Sequence, residues 1–180
     1  FLYTRGDGRR GTDITRAFDR GLQVVNGEDR GLGPGEIVVS KSYFVENLSD
    51  HFDNSRNFQA SLIKEKELEE PAAEAVRRGE AVFYPFSCLP DWKGSWAELS
   101  TDFDSIIEEM WNTVDYDIDG IVIEISDDQV KSHMGATRHH HRWQIAYKKN
   151  TAANNLTQFF DSSSGSDHNL CVKGLFKVLF

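Results

Sequence analysis

Cysteine is scarce in this chain of 180 residues, which holds only Cys88 and Cys171. The two lie far apart, with no CxxC and no Cys/His spacing. Neither a zinc site nor a disulfide framework is expected, and both thiols read as structural. Long apolar runs are also missing: no stretch approaches the roughly 20 residues that cross a bilayer, and no signal peptide opens the chain. A soluble, cytoplasmic protein without a membrane partner is expected. No repeat of about 20 to 50 residues is visible, which removes the repeat architectures. Positive charge is in deficit, since 20 Lys and Arg against 29 Asp and Glu leave a net charge of −9. That balance argues against a general nucleic-acid module. An initiating Met is absent as well, and FLYTRGDG enters mid-strand, so a fragment of something longer is expected.

What is present describes a folded protein. A hydrophobic fraction of 39% and an aromatic fraction of 12% are globular values, and a chain of this size buries roughly two-thirds of its unfolded surface, enough for one core. The cations are unevenly spread. Lys131, Arg138, Arg142, Lys148 and Lys149 fall in a stretch without an acid that also holds His133, His139, His140 and His141. Arg5, Arg9, Arg10, Arg16 and Arg20 outnumber Asp7, Asp13 and Asp19 at the start. If these basic ends converge they make a positive surface suited to a phosphate-bearing ligand; otherwise they form a scattered, solvated surface.

In chain order, Phe1–Thr4 reads as the end of a strand, followed by a turn at Arg5–Gly8. Thr12 or Asp13 caps a short helix through Ala17. Residues 26–35 form a loop, and residues 36–40 a strand with Glu36, Val38 and Ser40 on one face and Ile37 and Val39 on the other. Ser40 caps a helix carrying Tyr43, Phe44 and Leu48. Residues 54–64 open a second helix, and residues 70–78 a third that Gly79 ends. Residues 81–88 predict a strand that Pro85 restricts to an edge or a bulge. Residues 94–114 predict a mostly helical stretch, with Phe103, Ile106, Ile107, Met110 and Trp111 on the buried face.

The stretch Tyr116–Lys148 predicts two strands joined by a short helix and a loop rich in Arg and His. Alternation puts Ile121, Ile123 and Ile125 on one face, with Val122 and Glu124 opposite. It likewise groups Trp143, Ile145 and Tyr147 against Gln144, Ala146 and Lys148. Each strand therefore buries one face and offers a charge on the other. After Asn150 the Ser, Gly and Asn content reads as linker, and the last residues, LCVKGLFKVLF, are apolar enough for a strand.

Four strings in one order resemble the nucleotidyltransferase (adenylation) domain of NAD-dependent DNA ligases. YTRGDGRRGTDIT resembles that family's ATRGDG-x-x-G-E-D-V-T segment, and GEIVVSKSYF its RGEVFMPKAAF strand. Residues 54–64 resemble NPRNAAAGSLR, while residues 116–148 resemble YEIDGVVIKV followed by LGxTxxxPRWAIAYKFP. The resemblance covers residues 1–150, the C-terminal portion of the adenylation domain. Residues 151–180 remain a linker and unassigned tail, possible remnant of an OB-fold opening. The implied fold is α+β, a nucleotidyltransferase (ATP-grasp-like) domain of mainly antiparallel sheets flanked by helices, incomplete at its N-terminus.

The implied activity is sealing of nicked duplex DNA in replication and repair, with NAD as AMP donor and Mg²⁺ as co-ion. AMP passes from NAD to a lysine, then to a DNA 5′-phosphate, and the 3′-hydroxyl displaces it. Charge builds on phosphate oxygens at each transfer, so preorganised cations are needed. Lys148 matches the IAYK lysine that contacts the reacting phosphate. Glu36 matches the strand acid that accepts from the ribose hydroxyls, and these two are the expected catalytic residues. Arg5 and Arg56 match arginines in or beside the nucleotide site, and Lys64, Arg138 and Arg142 are expected on DNA phosphate. The family's KxDG lysine, which takes the AMP, is expected in an upstream part of the parent, so this fragment alone is expected to be inactive.

Other positions depart from the family. Glu124 replaces the family's DGVVIK lysine and is expected to bind a metal ion or to pair with Lys148 or Arg142. Trp111 stands near where the family carries an arginine, and Pro34 replaces the arginine before Gly35. Lys64 stands for Arg and lacks the bidentate fork. His139, His140 and His141 point in different directions as neighbours, so a metal site is not expected there. The alternative is a catalytically incomplete nucleotide- or nucleic-acid-binding domain derived from the same fold.

Overall fold

The structure is a computed structural model that describes residues 1–7, 9–27, 33–64, 66–137, 141–148 and 169–176. It divides into two compact units, one of Phe1–Leu89 with Asp115–Asp117 and Phe176–Phe180, the other of Pro90–Val114 with Ile118–Leu175. Both combine helices with a sheet, so the chain is α+β. Among the described residues, no helix is long and apolar enough to cross a membrane.

The first unit opens with a hairpin: Thr4 N–H donates to Thr12 O (2.9 Å) and Ile14 N–H to Leu2 O (2.8 Å). The predicted helix start shifts, because Asp13 Oδ1 accepts from Thr15 N–H and α1 runs Arg16–Asp19. Strands β1 (Gln23–Val24), β2 (Gly35–Val39) and β3 (Ala81–Pro85) form a sheet in the order β1-β3-β2. Strands β2 and β3 run antiparallel, while β1 joins β3 in parallel.

Strand β3 is therefore central, correcting the expectation that Pro85 confines it to an edge or bulge. Pro85 sits at the strand's last position, while β1 pairs only with Val82 and Phe83, so the missing N–H interrupts no ladder bond to β1. Ser40 caps α2 (Lys41–Tyr43), which continues as a π-helical turn over Phe44–Leu48. Helices α3 (Ser55–Ile63) and α4 (Glu70–Arg77) follow. Phe58, Leu62, Ala72, Ala75 and Val76 from these helices pack with Ile37, Val39 and Phe83 of the sheet and with Phe18 of α1.

In the second unit, β4 (Asp91–Ser95) precedes α5 (Trp96–Thr101) and α6 (Phe103–Asn112). The mostly helical stretch predicted over residues 94–114 is formed by the end of β4 and these two helices. Ser95 and Glu98 form a capping box that starts α5, and Asp102 leaves helical geometry (φ −115°, ψ 28°) between the two helices. Ile106, Ile107 and Met110 are buried on the predicted face. Strand β5 (Ile118–Ile125), helix α7 (Asp128–Met134), strand β6 (Gln144–Tyr147) and strand β7 (Asn169–Phe176) complete the unit.

The sheet order is β4-β7-β5-β6, so the last strand, from the unassigned tail, inserts between β4 and β5. Its Leu170 and Val172 are fully buried with Ile121, Ile123 and Ile125 of β5. Burying each such side chain contributes about 1.5–3 kcal/mol relative to leaving it exposed.

Candidate functional site

The predicted strand pair forms with the expected faces. Strand β5 runs antiparallel to β6 in the register Ile121↔Tyr147, Val122↔Ala146, Ile123↔Ile145 and Glu124↔Gln144. The isoleucines face the core. Directly opposed residues share a face, so Val122, Ala146, Glu124 and Gln144 stand together on the other side. Gly120 and Lys148 extend that face at one end. A Cβ at Gly120 would lie 2.8 Å from Tyr147 O and 3.4 Å from Lys148 Cγ, so glycine permits the close approach of the two strands there.

Lys148 Nζ donates to Asp119 Oδ2 at 2.9 Å, with the side chains 54% and 34% exposed. A pair this exposed is worth about 1 kcal/mol or less, so an anion of higher charge density can displace the carboxylate. Sequence reasoning missed Asp119: the ladder with β6 begins at Ile121, and alternation does not fix the direction of a residue beyond it. The signal available was only its position at the start of the strand.

Glu124 has a different partner from those expected. Its carboxylate lies 3.7 Å from Lys131 Nζ on α7, not against Lys148 or Arg142. The two side chains are only 20% and 22% exposed. Lys131 Nζ also stands 4.7 Å from the Trp143 ring centre, and His141 stacks on that ring at 4.6 Å. Helix α7 follows directly on β5, which brings its cation back over the strand that carries Glu124. Arg142 is exposed at the entry to β6, where its N–H donates to Gly135 O (3.1 Å). Arg138, His139 and His140 lie outside the described residues. Among the described residues, no three His, Cys, Asp or Glu side chains converge as metal ligands.

In the first unit, Glu36 on β2 is 9% exposed and opposes Tyr84 on β3. The Tyr84 ring meets Tyr116 edge-on at 5.6 Å, and burial raises both phenol pKa values. Gly35 beside Glu36 is fixed by crowding, since a Cβ there would lie 2.5 Å from Tyr84 O. At the end of β2, Asp115 Oδ2 accepts from Ser42 Oγ (2.6 Å) and Ser40 Oγ (2.7 Å). These bonds, chiefly the one from Ser42, hold the Asp115 carboxyl below the ordinary aspartate range.

Arg5 is exposed in the first hairpin, which it shares with Arg9 and Arg10. Arg56 is the exposed second residue of α3, behind an Asn54 cap that accepts from Asn57 N–H (3.0 Å), and Lys64 is the exposed residue that ends the helix. Arg20 serves the fold instead, donating to Leu62 O and Lys66 O at 2.7 and 2.6 Å. The first unit thus carries Arg5, Glu36, Arg56 and Lys64, and the second carries Lys148, Arg142 and Glu124.

Comparison with known proteins gives these placements a context. A family model described as the NAD-dependent DNA ligase adenylation domain matches residues 92–152, which include β5, α7 and β6. A DNA ligase of Desulfotalea psychrophila is 62% identical over 156 residues, covering 87% of this chain and 23% of the relative. One of Psychromonas ingrahamii is 61% identical over 149 residues, covering 83% and 23%. A DNA ligase of a Wolbachia from Brugia malayi is 30% identical over 173 residues, covering 81% and 25%. The chain thus spans about a quarter of the length of these relatives. No solved structure matches it. On the matched strand pair and these identities, the chain belongs to the NAD-dependent DNA ligase adenylation-domain family.

Proposed function

We propose that this chain is part of an NAD-dependent DNA ligase, acting in the cytoplasm, that seals nicks in duplex DNA through enzyme-AMP and DNA-adenylate intermediates. Its α+β units are read as belonging to a nucleotidyltransferase fold over residues 1–150, to whose second sheet β7 adds a strand. The observation that carries the reading is the 62% identity to a DNA ligase across 87% of the chain. Identity at that level counts against a non-catalytic derivative.

The roles proposed for these residues are those the family resemblance implies, and the settings of the described ones are compatible with them. Lys148, half-exposed and held by an exchangeable carboxylate, takes the reacting phosphate and offsets the charge that grows on its oxygens. Asp119 keeps the ammonium in place until that phosphate arrives. Glu36, an acceptor on a buried strand, holds the adenylate ribose by its hydroxyls. Arg5 and Arg56 bind phosphates of the nucleotide, and Lys64, Arg138 and Arg142 those of the DNA.

Mg²⁺ is ordinarily held by one or two carboxylates together with substrate phosphates. Glu124, engaged by Lys131, is not asked to hold it.

The test uses the full-length parent with NAD labelled in its adenylate and a nicked duplex. Label is expected on the protein and then on the DNA 5′-phosphate. Lys148→Ala and Glu36→Ala are each expected to slow sealing by at least about 100-fold, the scale of losing one preorganised charge. Labelling from ATP instead of NAD, or no labelling from either, refutes the proposal.

A further inference from the structure

The first hairpin carries three arginines, Arg5, Arg9 and Arg10, that are exposed and form no ion pair among the described residues. Its geometry is tightly specified: Tyr3 bridges Asp13, and Thr12 N–H donates to Thr4 Oγ1 (2.9 Å). Gly6 at the tip adopts φ +53°, where a Cβ would collide with Arg10 O at 1.8 Å. A Cβ on Gly11 would lie 1.9 Å from Thr4 O. The acid of the turn is turned inward on the backbone, since Asp7 Oδ1 accepts from Arg9 N–H (2.8 Å) and Arg10 N–H (2.7 Å). Those two bonds hold its carboxyl below the ordinary range. Asp7 therefore organises the turn without pairing with its guanidiniums.

Five other cations among the described residues are neutralised locally. Arg77 pairs with Glu70 and Glu74, Arg78 with Glu74, Lys93 with Asp91, Lys131 with Glu124 and Lys148 with Asp119. Among the described residues, no side chain forms an ion pair with Arg5, Arg9 or Arg10. A rigid turn that holds exposed arginines and spends its own acid on backbone N–H groups is built to meet anions. A row of guanidinium forks fits successive phosphates better than it fits a carboxylate surface.

We propose that Arg9 and Arg10, beside Arg5, grip the phosphodiester backbone of the DNA duplex without reading its sequence. This rests on the DNA ligase reading for the choice of DNA as the anion. Loss of two phosphate contacts lowers the slope of log K against log salt by about 1.8, which near 0.1 M salt is about 60-fold in affinity.

The experiment measures binding of the full-length parent to a nicked duplex across a salt series. Arg9→Ser/Arg10→Ser is expected to show that loss of slope, and Arg9→Lys/Arg10→Lys to restore most of it, which a misfolded hairpin would not. Arg77→Ser/Arg78→Ser removes two charges that are already paired and is expected to leave the slope within about 0.3 of the parent's. An unchanged slope in the first variant, an equal loss in the third, or a parent that does not bind DNA overturns the proposal. Labelling of the unsubstituted parent by NAD tests the ligase reading separately. A parent that labels but keeps its slope when Arg9 and Arg10 are replaced fails only the hairpin, and one that does not label but loses slope fails only the ligase reading.

Discussion

Replacing Glu124 by lysine, the residue type of the DGVVIK string that this strand resembles, is predicted to destabilise this chain. The pair it breaks is Glu124–Lys131 at 3.7 Å, with both side chains about four-fifths buried. At an effective dielectric of about 20, a contact of this length has a gross energy of about 4 kcal/mol, and Glu124→Lys converts that attraction into repulsion of the same order. Either ammonium can swing toward water, so the observable loss is smaller, about 2–4 kcal/mol. Asp128, 3.9 Å from Lys131 but with a side chain 97% exposed, offsets little of it.

The charge-swapped variant Glu124→Lys/Lys131→Glu recovers the pair. It forfeits the cation over the Trp143 ring, an interaction of about 0.5–1 kcal/mol. Its stability should therefore fall about 1 kcal/mol short of the native chain. Urea unfolding followed by tryptophan fluorescence measures this directly, because Trp92, Trp96, Trp111 and Trp143 all lie in the second unit. A Glu124→Lys chain within about 0.5 kcal/mol of native, or a double variant no better than the single, would show that position 124 is not held by Lys131.

Three further outcomes follow from the same structure. Asp115 has a folded pKa below its unfolded one, so its contribution is fully present above the ordinary aspartate range and lost as pH falls through the lowered value. Asp115→Asn should cost about 1 kcal/mol at pH 7 and flatten the acid limb of a stability-against-pH curve; an unchanged limb would count against the Ser40–Ser42–Asp115 cluster. Burial pushes the Cys171 thiol up to about 11, so at pH 8 iodoacetamide should modify half-buried Cys88 first and Cys171 only on unfolding, as peptide mass mapping would reveal. Gly120→Ala should cost about 1–3 kcal/mol by forcing β5 from Tyr147, as urea unfolding would measure; native stability would refute the close approach.

What was legible in the sequence was local. The alternation of Ile121, Ile123 and Ile125 required one buried face and the structure buries all three. The spacing of Ile106, Ile107 and Met110 set the inner side of α6 in the same way. Three features were not legible, because each depends on a neighbour distant in sequence. Pro85 tolerates a central strand because β1 is too short to reach it. Strand β4, which ends at Ser95 just inside the stretch read as mostly helical, forms because it pairs with residues 169–173, which alternation cannot anticipate. Asp115–Asp117 belongs to the first unit although the flanking segments belong to the second, tied there by Ser40 and Ser55.

The candidate site was legible in its residue types but not in its pairings, and the pairings decide which charge is available. From the strand faces alone, Glu124 and Lys148 look like partners offered to one ligand. The structure separates them: Glu124 is committed to Lys131 in a setting about four-fifths buried, whereas Lys148 shares a half-exposed contact with Asp119. Exchanging a carboxylate for a phosphate on Lys148 leaves no buried charge unpaired, because Asp119 can return to water. The same exchange at Lys131 would strand the Glu124 carboxylate, at a cost of several kcal/mol. Among the described residues of the outer face of β5 and β6, Lys148 is therefore the cation with the more exposed partner, and the carboxylate at position 124 is held by the lysine of α7.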